Sequence, residues 1–350
     1  MDTSQRAPEG VHVDEVTAWL VERRPVTTPP LRFELVAGGR SNLTFVVTDA
    51  TGARVVLRRP PLGHVLASAH DMGREHRVIA ALAGSDVPVP TAVGLSGDSS
   101  VNGAPFYVMD HVEGHVLRDA AEAGTVLDEA ARRRAGESVV DVLARIHAVD
   151  IDAVGLGDLG RRDDYVGRQL KRWYGQFQRS NALTGRPVPL VHQVHDRLAA
   201  TVPEQQGSTI VHGDYRLDNC MVDGTGEVVA VLDWELCTLG DPLADLGVLL
   251  VYWAEPGDTR AALPGAPTAL PGFLSRAELI DRYAEQSGRD LDLVPYYVAF
   301  GYWKLACILE GVYARYANGA MGATDDTYEA FDQTVVFLAE QASAATDELG

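Results

Sequence analysis

The sequence predicts an α+β chain of two lobes: a small lobe of mixed helix and antiparallel sheet to about residue 112, then a larger, mainly helical lobe over 113–350. Three observations predict it. At 350 residues the chain exceeds one average domain and has enough length for two sizeable cores. Short β-rich runs joined by turn residues cluster in the amino-terminal third, whereas beyond residue 113 apolar residues recur at helical spacing. A hydrophobic content of 46% against 23% charged residues is that of an ordinary globular chain, which excludes a disordered or fibrous one.

The elements follow in order. Val13 to Arg23 places Val13, Val16 and Leu20 on one helical face. Phe33 to Val47 gives strand, turn, strand, with Gly38 and Gly39 at the turn. Arg54 to Arg59 is the next strand, and alternation sends Arg58 and Arg59 to opposite faces. Arg74 to Leu82 is a helix whose Glu75, Ile79 and Leu82 share a face; a carboxylate there needs a partner, either Arg58 or a neighbouring surface arginine. Gly84 stops that helix, and Val87-Pro88-Val89-Pro90 prevents its resumption. Phe106 to Gly114 is a β-rich run ending in glycine, and the link between lobes falls at about 107–113.

In the larger lobe, Val139, Val140, Leu143, Ile146 and His147 form an apolar stripe in which His147 is a core or capping histidine. Tyr165 to Arg179 sets Val166, Leu170, Trp173 and Phe177 on one helical face and Arg168, Arg172 and Arg179 on the other, a solvated face in the simplest account. Val222 to Val228 is a hairpin turning on Asp223-Gly224 and Gly226. Gly240 to Leu246 starts a helix with Asp241 as N-cap and Pro242 in its first turn. The longest apolar helix, Pro295 to Tyr316, contains Lys304, Glu310 and Arg315, so it belongs to a core rather than a membrane.

One stretch carries chemistry. The apolar run Ile210-Val211 enters His212-Gly213-Asp214-Tyr215-Arg216-Leu217-Asp218-Asn219, and after the hairpin a second apolar run ends on Leu232-Asp233-Trp234-Glu235. Singly, each Asp or Asn is a cap or turn residue. Jointly they form a phosphoryl-transfer pattern: protein kinases use an Asp that takes the acceptor hydroxyl's proton, an Asn five residues on and a later Asp, the last two holding Mg²⁺. With Gly240-Asp241-Pro242-Leu243-Ala244-Asp245-Leu246, these residues resemble the aminoglycoside phosphotransferase and choline kinase superfamily, whose fold is protein-kinase-like. Within it the string is most similar to the kinase-like domain joined in some proteins to an acyl-CoA dehydrogenase.

The resemblance implies an ATP- and Mg²⁺-dependent transfer of phosphate to a small-molecule hydroxyl. Asp214 would be the catalytic carboxylate, and Asn219 and Asp233 the metal ligands. Gly39, Ser41 and Asn42 would form the turn over the phosphates, although an ordinary hairpin has the same sequence and the Gly-x-Gly-x-x-Gly of protein kinases is absent. Arg58 stands where kinases carry the phosphate-binding lysine, with Glu75 as its partner. Met109 would lie beside the adenine, with the main chain of Asp110 and Val112 reading it; a plain core strand is the alternative. His212 has a structural role, and Asp245 either orients the catalytic loop or places a favourable charge in a helix's first turn.

Charge and cysteine usage bound the partners. A net charge of −19 argues against a nucleic-acid partner. Three cysteines without paired or metal-type spacing, and a polar amino terminus, point to the cytoplasm, with no membrane segment. Acidity and the family name favour an aminoglycoside-like acceptor. The arginine face of Tyr165 to Arg179, should it border the acceptor, and the closer resemblance favour an acyl-CoA-like one. A regulatory pseudokinase is the third reading. Gly257 to Gly272, rich in Pro, Gly and Ala, is a surface insertion and a candidate acceptor-side lid.

Overall fold

A computed structural model describes residues 8–36, 42–62, 71–258, 265–317 and 329–349. The chain forms two compact units: Met1–Gly114 with Val229–Cys237, and His115–Val228 with Thr238–Gly350.

The first unit is a sheet with helical cover. Its elements run α1 (Val13–Arg23), β1 (Arg32–Leu35), β2 (Leu43–Thr48), β3 (Arg54–Arg59), α2 (Met72–Leu82), β4 (Ala92–Ser96), α3 (Ser99–Asn102) and β5 (Phe106–Asp110). The strands pair antiparallel in the order β1-β2-β3-β5-β4. Alternation decides what each face holds. Phe45, Val47, Val55, Leu57, Phe106 and Val108 project into a core completed by Val16, Trp19 and Leu20 of α1. Arg58 and Tyr107, one step out of phase, meet α2, which buries Glu75, Val78, Ile79 and Leu82. Asp71 caps α2 by accepting from the Arg74 N–H at 3.0 Å, and the helix ends at Leu82 with Gly84 at φ +89°. Arg59 points the other way, donating to the carbonyls of Gly10 and Asn102.

The second unit is mainly helical. In order it contains β6 (His115–Val116), α4 (Ala120–Val126), α5 (Glu129–Ala148), α6 (Tyr165–Thr184), α7 (Pro189–Ala200), β7 (Thr209–Val211), β8 (Cys220–Val222) and the start of β9 (Val228–Val231), after which the chain enters the first unit. It returns with β10 (Thr238–Gly240), α8 (Leu243–Tyr252), α9 (Arg276–Ser287), α10 (Val294–Ala317) and α11 (Glu329–Asp347). β7 pairs with β10, and β6 with β8, both antiparallel. The predicted hairpin turn forms: the Asp223 carboxylate accepts from the N–H groups of Thr225 at 2.8 Å and Glu227 at 3.0 Å. Gly226 sits at φ +87°, where a Cβ would run into the main chain of Ala131 in α5.

Two helices matter most for the site. α8 and α10 cross at glycines: a Cβ on Gly247 would strike the Tyr297 carbonyl, and one on Gly301 would lie 3.3 Å from the Gly247 carbonyl oxygen. α8 starts one residue later than the sequence suggests, at Leu243, with Pro242 as N-cap; Asp241 still accepts from the Leu243 N–H at 3.1 Å. α10 carries Lys304 and Glu310 into the interior, 6% and 0% exposed. Glu310 ties α10 to α6, accepting from Thr184 Oγ1 at 2.7 Å and Asn181 Nδ2 at 3.2 Å, and from Arg186 Nε at 2.9 Å. Among the described residues no helix is long and apolar enough to cross a membrane. Of Gly257 to Gly272, residues 259–264 lie outside the described residues; Pro267–Ala269 make a single 3₁₀ turn, pinned by the Ala254 N–H donating to Thr268 Oγ1 at 2.8 Å.

Candidate active site

In the first unit three charged residues meet. Arg58, on β3, reaches Glu75 of α2 at 3.3 Å through Nε and Asp233 at 2.5 Å through Nη2, with side-chain exposures of 11%, 1% and 28%. Burial works against the guanidinium's charge, but Glu75 and Asp233 outweigh it and hold the arginine ionised well above its ordinary range. Burial pushes the Glu75 carboxyl up to about 7, against the pull of Arg58. Asp233 adopts a left-handed backbone, φ +63°, ψ +58°. For a residue other than glycine that conformation is costly, and such strain concentrates at functional sites.

The remaining expected nucleotide residues lie in this unit too. Asn42 is 3% exposed and donates to Glu235 at 3.1 Å. Gly39 and Ser41 lie outside the described residues. Met109 is buried on β5, and Asp110 ends the strand, its N–H donating to the Thr91 carbonyl at 2.8 Å and its carboxylate paired with Arg24. Val112 follows, half-buried. The partners of Asn42 and Asp110, Glu235 and Arg24, were not legible in the sequence, since nothing in their spacing marks them.

In the second unit β7 delivers the loop expected to carry the catalytic carboxylate. His212 is fully buried, and Nδ1 accepts from the Asp214 N–H at 3.3 Å. Asn219 closes the loop: its Nδ2 donates to the Asp214 carbonyl at 2.8 Å and to Asp214 Oδ2 at 3.2 Å. Arg216 Nε lies 3.4 Å from Asp214 Oδ2 and 3.0 Å from Asp218 Oδ1, with its guanidinium 4.7 Å over the Tyr252 ring. Burial raises the Asp218 carboxyl despite Arg216.

Asp245 of α8 orients the loop: its carboxylate accepts from the N–H groups of His212 at 2.6 Å and Gly213 at 2.8 Å. Burial would raise that carboxyl, but His147, His212 and the Gly213 N–H hold it below the usual range. Behind it, His147 Nε2 lies 3.5 Å from Asp245 Oδ2, and its Nδ1 pairs with the Tyr283 hydroxyl at 2.7 Å. His147 is therefore a satisfied core histidine, kept neutral by burial. From α10, Lys304 Nζ donates to the Gly213 carbonyl at 2.6 Å. The sequence carried one signal for it: a lone lysine on an apolar helical face requires a partner.

Beside the loop, within the same unit, is a cavity of about 190 Å³ lined by Arg118, Arg216, Asp218, Tyr252, Trp253 and Thr268, among others. Arg118 and Tyr252 come from segments far apart in sequence, so no motif announces the cavity.

The pattern of the Phosphotransferase enzyme family (APH) matches residues 32–289. The chain is 35% identical over 306 residues to mouse acyl-CoA dehydrogenase family member 10, covering 84% of this chain and 27% of that protein. It is 34% identical over 314 residues to chicken acyl-CoA dehydrogenase family member 11, covering 87% and 39% respectively, so it spans well under half of either relative. Among solved structures, a presumptive aminoglycoside phosphotransferase from Ralstonia eutropha superposes with a TM-score of 0.81 at 33% identity, over 97% of this chain and 99% of that one. The aminoglycoside phosphotransferase APH(4)-Ia, in ternary complex with AMP-PNP and hygromycin B, shares the fold at a TM-score of 0.58 and 16% identity, over 95% and 98% of the two chains. The chain belongs to the phosphotransferase enzyme family and has a protein-kinase-like fold.

Proposed function

We propose that this enzyme transfers the terminal phosphoryl group of ATP, with Mg²⁺, to a hydroxyl of a small molecule in the cytoplasm. The observation that carries the reading is the Asp214–Asn219 loop, fixed by Asp245 with its catalytic carboxylate still 30% exposed. In the reaction the acceptor oxygen bonds to the γ-phosphorus as the bond to the ADP oxygen breaks, and the hydroxyl proton passes to Asp214. Arg58, placed by Glu75, grips the phosphates. Asn219 and Asp233 offer oxygen donors of the kind Mg²⁺ prefers; with Asn219 Nδ2 committed to Asp214, its Oδ1 is the atom available. Bound there, Mg²⁺ would neutralise charge developing on the phosphates. Three buried, free cysteines suit a reducing compartment.

The cavity beside the loop is our candidate for the acceptor's place. Its arginines outnumber its carboxylate, which favours an acceptor bearing an anionic group, such as a hydroxyacyl-CoA, over a polycation. An aminoglycoside is the second reading, favoured by the structural neighbours. A regulatory pseudokinase is disfavoured by the presence of Asp214, Asn219 and Asp233 together. A coupled ATP-consumption screen over both acceptor classes tests the proposal. Asp214→Asn should keep nucleotide binding and lose about 10²–10⁴ in transfer, while Asp233→Ala should lose Mg²⁺-dependent ATP binding. Full activity in either variant refutes the assignment.

A further inference from the structure

We infer that Lys304 is a positioning residue for the catalytic loop: its buried ammonium fixes the peptide plane that leads into Asp214. The inference rests on Asp214 being the catalytic carboxylate, as proposed above.

The peptide between Gly213 and Asp214 is held at both ends. Its carbonyl accepts from Lys304 Nζ at 2.6 Å, and its N–H donates to His212 Nδ1 at 3.3 Å. One residue earlier, the Gly213 N–H donates to Asp245 Oδ1 at 2.8 Å. Gly213 is thus clamped by two buried side chains of opposite charge, Asp245 from α8 and Lys304 from α10, whose crossing is set by Gly247 and Gly301. Gly213 turns at φ +85°, so the direction in which Asp214 leaves the loop depends on this one plane. An ammonium donating to the carbonyl also polarises the amide, strengthening the bond from the Asp214 N–H to His212.

Stability alone gives little reason for a lysine here. Lys304 is 6% exposed on a helix otherwise lined by Phe300, Trp303, Leu305 and Ala306, and the Trp173 ring lies 5.7 Å from its Nζ. Removing an ammonium from water costs several kcal/mol in general, more than a single bond to a neutral carbonyl returns. Burial lowers the ammonium's pKa overall; Asp214 and Asp245 are the charges that favour the charged form, and Arg172 opposes it. A methionine would fill the same volume without that cost. The lysine's contribution is therefore to the loop.

The test is Lys304→Met, assayed by ATP turnover with an accepted acceptor and, separately, by hydrogen exchange of the loop amides. We expect kcat to fall about 10- to 100-fold, the KM for ATP to change less than about threefold, and the melting temperature to hold or rise. Exchange at the Asp214 amide should quicken. In an Asp214→Asn background the same substitution should cost nothing further in turnover, because it acts through Asp214. A kcat within twofold of wild type, or a full additional loss in the double variant, overturns the inference. Should Lys304→Met not fold, Lys304→Gln replaces it under the same criteria. If wild type consumes no ATP with any acceptor of either class, the proposed function fails instead, and the exchange measurement still decides the positioning: unchanged protection at Asp214 overturns it.

Discussion

Glu75 offers the sharpest quantitative prediction. Its carboxyl is 1% exposed on the side chain and titrates at about 7 instead of the ordinary 4.5, because burial outweighs the attraction of Arg58 at 3.3 Å. A carboxyl whose folded value lies above its unfolded one binds its proton more tightly in the fold. Its stabilisation is complete below about 4.5 and is lost as the pH climbs through about 7. At about 1.4 kcal/mol per pH unit the full span is worth about 3 kcal/mol, of which about 2.5 kcal/mol falls between pH 5 and 8. Glu75→Gln removes the titration and keeps the shape. Urea unfolding of both proteins at several pH values should show the Gln variant gaining about 2.5 kcal/mol on wild type between pH 5 and 8, whatever the offset between them at one pH. A difference that stays flat across that range would mean that the pair with Arg58 keeps Glu75 ionised throughout, and the reasoning would be wrong.

Two further substitutions test the scaffold. Asp245→Ala leaves the buried N–H groups of His212 and Gly213 without an acceptor and should cost about 2–5 kcal/mol in urea unfolding, with transfer lost in the fraction that folds; a cost under about 1 kcal/mol would show that the loop holds itself. Gly226→Ala adds a Cβ at φ +87° against the Ala131 main chain and should cost about 2–4 kcal/mol, whereas Gly224→Ala, with open space around it, should stay within about 1 kcal/mol in the same thermal scan. Equal effects at the two glycines would refute the contact.

Much of this was legible because it is local. Strand alternation separated Arg58 from Arg59, and helical spacing put Glu75 on a buried face with Arg58 as its natural partner; both hold. Asp245 was undecided between a helix-turn charge and a loop anchor, since both uses put an Asp at the same place, and the two N–H donors settle it as the anchor. What the sequence hid depends on chain crossings. Lys304 meets Gly213 across 91 residues, because glycines far apart let α8 and α10 approach. Arg118 and Arg216 come to one cavity from opposite ends of a long helical excursion. No spacing rule reaches that far, so the Asp214–Asn219 loop was readable and the cavity beside it was not.

Arginine at position 58 also has a consequence for the proposed chemistry. A lysine presents a single nitrogen, whereas the guanidinium holds Glu75 through Nε and Asp233 through Nη2 at once, so one cation spans two carboxylates. With both ionised the cluster carries a net negative charge; the upward push on Glu75 comes first from its burial, and the Asp233 charge adds to it. A triphosphate approaching such a cluster meets like charge. Arg58 alone therefore does not make the first unit a phosphate site, and a reaction on ATP needs further positive charge beside Asp233. That requirement comes from the arginine and its two carboxylates, stands apart from the catalytic-loop motif, and is one that the Mg²⁺ of the proposed function would meet.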